Sequence, residues 1–323
     1  MRAIVQDAYG TADTWRLRET AVPEIADDEV LVKVQAAGLD RGTWHVMTGL
    51  PYLGRLALGL TKPKQSVPGL DLAGTVAAVG SSVTRFAVGD EVFGIGRGSF
   101  AEYAAAPEDK LVRKPTNLTF EQAAVVPVSG MTAIRGLRDA GHLEAGQRVL
   151  IVGASGGVGT YAVQIAKALG AAEVTGVCSS AKADLVRSLG ADHVVDYTKD
   201  DFADGSQRYD LILDIGGNSR LSQLRRALTP KGTLVFVGGE GGGKLIGGID
   251  RQLRAVALSP FVQQRLTMLV PKEHYHALEQ LTELIEAGAV SPSTDQTYPL
   301  EHAPDAMRHL VDGHARGKVA ITI

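Results

Sequence analysis

A lone cysteine, Cys178, stands in this 323-residue chain. An internal disulfide and a thiolate-rich zinc site each need several sulfurs, so both are excluded, and a reducing cytoplasm is the expected compartment. A basic excess is missing too. The formal net charge is -3, with 33 Lys and Arg against 36 Asp and Glu. Nucleic acid and anionic lipid would favour a clustered basic surface, so neither is an expected partner. No apolar run approaches the ~20 residues that span a bilayer, and the opening Met1-Arg-Ala-Ile-Val-Gln-Asp7 has no apolar signal segment, so no membrane association is expected. The most apolar surface stretch, Leu50 to Leu60, is broken by Pro51, Gly54 and Gly59 and reads as a loop or short helix. Aromatics are scarce at 5%, yet 45% hydrophobic and 21% charged residues suit a folded core, and no long polar tract signals disorder.

Glycine is abundant, with 38 residues, and the length exceeds what one core usually organises, so two domains are expected. The first hundred residues read as short β pieces between turns: Glu29 to Gln35, Gly74 to Val79, Glu91 to Phe93 and Phe100 to Ala105. Thr119-Phe-Glu-Gln122 has the reciprocal pattern of a helix start, and the segment to Ala140 reads as helical apart from Pro127 and Gly130. A strict alternation follows: strand Arg148 to Val152, helix Val158 to Leu169, strand Glu173 to Cys178, helix Ala181 to Leu189. Further strands are expected at His193 to Val195, Asp210 to Asp214 and Thr233 to Val237, the last after helix Leu221 to Ala227 and a Pro230-Lys-Gly232 turn. Such alternation predicts a doubly wound parallel sheet with right-handed crossovers. Helix around Ala277 to Ala287 and strand Val319 to Ile323 close the chain. The fold class is therefore α/β, with a mostly β domain at 1–120 and 262–323 and a parallel-sheet domain at 121–261.

Ile151-Val-Gly-Ala-Ser-Gly-Gly-Val-Gly159 follows a strand and opens a helix. Read as A-x-G-x-x-G from Ala154, it leaves Gly156 for close backbone approach to a pyrophosphate and Gly159 for tight helix-to-strand packing, with the helix N-terminus offering N–H groups. A purely structural turn is the bland alternative. An NAD site places an acidic residue at the end of the second strand, where this chain reads Gly176-Val-Cys-Ser-Ser-Ala-Lys182. Glu173 sits at the wrong end of that strand. Ser179, Ser180 and Lys182 suit a 2′-phosphate, so NADPH is the expected cofactor, although a Ser and a Lys opening a surface helix are also common as cap and solvated charge.

With Ala36-Ala-Gly-Leu-Asp40, Pro68-Gly-Leu-Asp-Leu-Ala-Gly-Thr-Val76, Val88-Gly-Asp-Glu-Val-Phe-Gly94, Pro127-Val-Ser-Gly-Met-Thr-Ala133 and Arg316-Gly-Lys-Val319 added, the chain resembles the zinc-independent medium-chain dehydrogenase/reductase family, in particular its quinone oxidoreductase-like branch. The resemblance implies a GroES-like catalytic domain built from both chain ends, an inserted Rossmann domain, a site in the cleft between them, and often a homodimer. It implies pyrophosphate contacts at Ser155, Gly156, Gly157 and Val158, with Thr132 beside the nicotinamide half. Lys182 and Tyr197 match positions that hold the 2′-phosphate, together with Ser179. Val237 and Gly238 resemble backbone contacts near the nicotinamide, and Lys318 resembles a basic residue closing over the cofactor. Where zinc-dependent relatives carry Cys, His and Cys, this chain has Asp40, Leu70 and Ser129, so no metal site is expected.

Reduction of an isolated carbonyl concentrates charge on one oxygen, which a zinc ion would stabilise. A conjugated enone or quinone spreads that charge, so positioning and one or two hydrogen-bond donors suffice. The expected function is hydride transfer from NADPH to a small apolar quinone or α,β-unsaturated carbonyl. The competing readings are an enoyl-thioester or 2-alkenal reductase, an NAD(P)-dependent alcohol dehydrogenase, and a non-catalytic NADPH-binding protein. Tyr52 is either a donor at the substrate mouth or a packed aromatic; Asp40 either orients substrate or caps the helix from Arg41. His45 could relay a proton or simply pack. Asp71 is expected to hydrogen-bond within its domain, and Cys178 to act as a small buried hydrophobe. The patch Gly238 to Gly248 reads as a lid or a loose connection, and Leu50 to Leu60 with Leu258-Ser-Pro-Phe261 as walls of an apolar pocket.

Overall fold

The computed structural model describes residues 1–239, 242–270 and 275–323. Among these, the chain begins with β1 (Arg2–Val5), β2 (Arg16–Glu19), β3 (Glu29–Leu39), α1 (Arg41–Thr48), α2 (Arg55–Leu58), β4 (Asp71–Val79), β5 (Glu91–Ile95), β6 (Tyr103–Pro107) and β7 (Leu111–Arg113). It continues through α3 (Phe120–Ala124), α4 (Pro127–Arg135), β8 (Arg148–Val152), α5 (Gly157–Ala168), β9 (Glu173–Cys178), α6 (Ala183–Ser188), β10 (His193–Asp196) and β11 (Tyr209–Asp214). The last elements are α7 (Leu221–Ala227), β12 (Leu228–Phe236), α8 (Ile249–Leu258), β13 (Arg265–Met268), α9 (Tyr275–Glu286), β14 (Thr294–Pro299), α10 (Ala303–Val311) and β15 (Lys318–Thr322). The chain divides into two compact units, one of Met1–Met131, Glu273–Glu286 and Pro292–Ile323, the other of Thr132–Lys272 and Ala287–Ser291.

The first unit is built on a sheet ordered β14-β15-β3-β4-β5-β7, with β6 also paired to β3. Its pairings are antiparallel except that of β14 with β15. β3 is longer than alternation alone suggests, running to Leu39, because residues 36, 37 and 39 are buried and extend the ladder to β15. One core gathers Val30, Val32, Leu72, Val92 and Leu111 within the sheet. Another packs Trp15, Phe100, Met47 and Met307 around β15. Each large apolar side chain so buried contributes on the order of 1.5–3 kcal/mol.

The second unit holds a wholly parallel sheet ordered β10-β9-β8-β11-β12-β13. In chain order that is 3-2-1-4-5-6, so the topology reverses between β8 and β11, where open α/β sheets bind dinucleotides. The expected strands at Arg148–Val152 and Glu173–Cys178 and the helix at Leu221–Ala227 match the structure residue for residue.

Three expectations need correction. The helical run breaks at Val125-Val126, just ahead of Pro127, and Gly130 does not interrupt it. Pro127 opens α4, where its missing N–H is harmless, and Gly130 lies inside it because a Cβ there would come within 2.3 Å of the Leu281 side chain of α9. The Pro230-Lys-Gly232 turn does not precede its strand. Tyr209 pairs with Leu228 and Leu211 with Thr233, so residues 229–232 bulge out within β12. Finally, Phe100–Ala105 is shifted to Tyr103–Pro107, since Phe100 turns inward onto Trp15 with ring centres 5.6 Å apart.

Candidate active site

In the second unit the switch-point loop starts at Gly153, whose φ of +91° lies in the region that only glycine enters freely. A Cβ on Gly153 would also lie 3.0 Å from the Gly216 nitrogen, so the loops after β8 and β11 touch. Reading the motif from Ala154 passed over this glycine; Ala154 is instead fully buried and would crowd any side chain at Gly176 of β9. Gly159 packs α5 against the loop, since a Cβ there would stand 2.2 Å from the Gly153 oxygen. Gly156, the N-cap of α5, differs: its Cβ position meets only the Gly153 oxygen at 3.6 Å, which leaves one side open. Gly157, Val158 and Gly159 form the first turn of α5, whose N–H groups have no acceptor within a helix. Ser155 is nearly buried beside them. This cradle of open glycine backbone and helix N-terminus fits a pyrophosphate.

At the far end of β9, Cys178 is buried, which pushes its thiol up. Ser179 is half-buried, and Lys182, also half-buried, ends a short 3-10 turn. β10 brings Asp196 level with Cys178, and Tyr197, 63% exposed, donates its N–H to the Cys178 oxygen at 3.3 Å. Sequence reading missed two neighbours. The Ser180 hydroxyl bonds Asp196, and Lys199 Nζ donates to Ser180 Oγ at 2.9 Å. Hydrogen bonds from Ser180 and Thr198, with Lys199 nearby, hold the Asp196 carboxyl well below the usual range. A carboxylate is therefore present near the second strand end after all, already engaged by hydroxyls and a lysine. Glu173 lies level with Arg148 at the opposite end.

After β11, Asp214 is fully buried and its carboxylate meets Arg251 of α8 at 2.7 Å. Burial pushes this carboxyl up while Arg251 opposes the shift. Asp214 also accepts from the Gly217 N–H at 3.3 Å, which sets the turn facing Gly153. Nothing in the spacing of the sequence singled it out. Val237 and Gly238 follow β12, half-buried, and Gln252 of α8 donates to the Gly238 oxygen at 3.1 Å. In the glycine patch, Glu240 and Gly241 lie outside the described residues; the described part folds back on itself, with a bridge between Gly243 and Gly247. Thr132 is half-buried on α4, and Phe261 is 83% exposed.

In the first unit, Asp40 follows β3 and caps α1: its Oδ1 accepts from Thr43 N at 2.8 Å and Thr43 Oγ1 at 3.0 Å. Its Oδ2 is buried and has no hydrogen-bond partner among the described residues. Asp71 accepts from Val128 N at 2.9 Å and from Lys318 Nζ at 3.4 Å. Burial drives the Asp71 carboxyl up to about 7; Lys318 opposes this and Asp40 adds to it. Lys318 thus stands differently from the expectation that it closes over a cofactor. It is 2% exposed, and a desolvated ammonium requires the buried counter-charge that Asp71 provides. Tyr52 is 43% exposed and its phenol makes no hydrogen bond among the described residues. His45 meets the Leu50 oxygen through Nδ1 at 2.7 Å, while Leu53, Leu56 and Leu60 are exposed. Ser129 is buried and Leu70 half-buried. Among the described residues no three His, Cys, Asp or Glu side chains are grouped so as to hold a metal ion, and no helix is long and apolar enough to cross a membrane.

Comparison with known proteins bears on this arrangement. Residues 26–116 match the model described as alcohol dehydrogenase GroES-like domain, and residues 189–321 that described as zinc-binding dehydrogenase. The chain is 34% identical to 2-methylene-furan-3-one reductase of Solanum lycopersicum over 99% of its own length and 79% of that protein. The same identity and coverage hold for the chloroplastic NADPH-dependent alkenal/one oxidoreductase of Arabidopsis thaliana. Among solved structures, the quinone oxidoreductase from Coxiella burnetii superposes with a TM-score of 0.87 at 28% identity, covering 100% of this chain and 99% of that one.

Proposed function

Because the chain belongs to the medium-chain dehydrogenase/reductase family, in its quinone oxidoreductase-like branch, we propose that it is an NADPH-dependent oxidoreductase acting on a quinone or α,β-unsaturated carbonyl. The observation that carries this reading is the glycine cradle at the β8–β11 switch point, with Lys182 and Lys199 near the end of β9. Gly157 and Val158 hold the pyrophosphate through backbone N–H groups, Gly156, whose own N–H donates to the Gly153 oxygen, allows its close approach, and Ser155 lies beside them. Ser179, Lys182 and Tyr197 hold the 2′-phosphate, and Lys199 joins them; this deepens the preference for NADPH despite Asp196, whose charge Lys199 offsets. Thr132, Val237 and Gly238 serve the nicotinamide half. Lys318 we assign to Asp71 rather than to the cofactor.

NADPH, when bound, supplies a hydride to the conjugated acceptor. Tyr52 offers its phenolic O–H to the acceptor's carbonyl oxygen, where negative charge develops. Asp40 orients α1 through its cap and leaves its buried Oδ2 as an acceptor for a water. A catalytic zinc does not fit the donors at hand: Leu70 cannot ligate, Asp40 Oδ1 is committed to Thr43, and the one cysteine is buried in β9. The buried thiol suits a reducing compartment, and the cytoplasm remains our assignment.

The test is oxidation of NADPH by purified protein with 1,4-naphthoquinone, 2-cyclohexenone, trans-2-hexenal and crotonyl-coenzyme A, with propanal and NADH as controls. Turnover of a conjugated acceptor with NADPH is expected, and turnover of propanal alone would overturn the reading. Lys182→Ala should weaken NADPH binding by about tenfold and leave NADH within about twofold, because only NADPH carries the 2′-phosphate. Equal losses for both cofactors would remove Lys182 from the site.

A further inference from the structure

We propose that Arg55 is a positioning residue for the reaction, holding the Tyr52 ring so that its phenol meets the acceptor's carbonyl oxygen; this rests on the reading of Tyr52 as the donor. Tyr52 lies in an exposed 3-10 turn, with no hydrogen bond at its oxygen among the described residues to fix it. Its ring is held from elsewhere: the Arg55 guanidinium carbon lies 4.7 Å from the Tyr52 ring centre and 4.3 Å from that of Tyr9. The guanidinium is itself fixed. Its Nε donates to the Gly49 oxygen at 2.9 Å and one terminal nitrogen to the Thr48 oxygen at 3.4 Å.

Those two carbonyls close the C-terminal end of α1, where helical acceptors lack N–H partners. Gly49 makes the arrangement possible. Its φ is +62°, and a Cβ there would fall 2.7 Å from both Arg55 Nε and Tyr9 Cδ1. Tyr9 is in turn anchored by its own O–H, which donates to the Gly59 oxygen at 2.6 Å. One planar cation therefore meets two carbonyls through its edge and attracts two aromatic faces. α1 consequently carries Asp40 at its start and, through Arg55, the Tyr52 ring at its end. A lysine keeps the charge but has neither the planar fork nor the flat face.

The test is a double-mutant cycle of Arg55→Lys with Tyr52→Phe, assayed at saturating NADPH with trans-2-hexenal and 1,4-naphthoquinone. A second readout is 19F NMR of protein labelled with 3-fluorotyrosine, with the Tyr52 signal assigned by its loss in Tyr52→Phe. Arg55→Lys is expected to lower kcat about fivefold with the NADPH KM unchanged, and to add nothing in the Tyr52→Phe background. The Tyr52 19F signal should move while that of buried Tyr209 stays. Tyr9→Leu, which leaves the α1 carbonyls to Arg55, should give a smaller loss of the same kind and guards against misfolding of the lysine variant. Additive losses in the cycle, or an unmoved Tyr52 signal, would overturn the proposal. If Tyr52→Phe keeps full kcat while the signal still moves, the donor reading fails and with it the role of Arg55 in the reaction, leaving only the structural clamp.

Discussion

Asp71 shows how far one carboxyl can be governed by its surroundings. It is fully buried, faces one lysine and shares its neighbourhood with Asp40, whose Oδ2 is unpartnered among the described residues. Removing water penalises its charged form, and the single ammonium does not fully offset that. With a folded pKa raised from 3.8 to about 7, the folded state holds a proton that the unfolded chain releases. Stability from this group is then fully present below about pH 4 and is lost as the pH rises through about 7. Asp71→Asn should lower stability chiefly above about pH 7, where the ionised carboxylate is the counter-charge of Lys318, and should flatten the curve below it. Relative to the parent, its slope should differ by as much as about 1.4 kcal/mol per pH unit in that window. Urea unfolding of both proteins between pH 4 and 7 reads the difference directly. Parallel curves would mean that Asp71 is ionised throughout. At this scale the sequence was informative about Asp40 as a cap and Asp71 as an internally bonded acid, because short-range rules govern both. It was silent on Arg55, Asp214 and Lys199, whose partners come from other elements and obey no spacing. The pairing of Lys318 with Asp71 was hidden for a related reason: a Gly-Lys-Val motif does not reveal which way the ammonium points.

At the scale of elements, the β8-loop-α5 unit separates two uses of glycine that one motif conflates. Gly159 exists for packing and Gly156 for access. Gly159→Ala should cost stability by about 2 kcal/mol or more through backbone overlap with Gly153. Gly156→Ala should fold with nearly unchanged stability and bind NADPH at least about tenfold more weakly, since its Cβ would enter the open side. Thermal melts with and without NADPH distinguish these outcomes; equal loss of stability in both variants would contradict the division. Five of the six strands of the parallel sheet were legible because apolar and β-branched residues cluster in them between turn residues, as in residues 149–152 ahead of Gly153. Helix α4 was not, because Pro127 and Gly130 count against a helix by propensity while an N-terminal position and the close crossing of α9 permit them. α8 and β13 follow the glycine patch, where periodicity gave no signal, yet α8 supplies both Arg251 to Asp214 and Gln252 to Gly238.

For the whole molecule, the two units carry different halves of the proposed chemistry: the second the cofactor cradle, the first the polar side chains Asp40 and Tyr52. The two-domain α/β plan followed from the length and the strand-helix alternation, and the choice of a conjugated acceptor from the residues at 40, 70 and 129. The central claim is direct hydride transfer from NADPH to the conjugated carbon. The measurement that tests it is a single turnover with 4-deuterated NADPH and trans-2-hexenal, with mass spectrometry and NMR locating the label in the product. The account predicts hexanal carrying deuterium at C3. Deuterium at C1 of an allylic alcohol, or reduction of the alkenal with no label transferred, would contradict it.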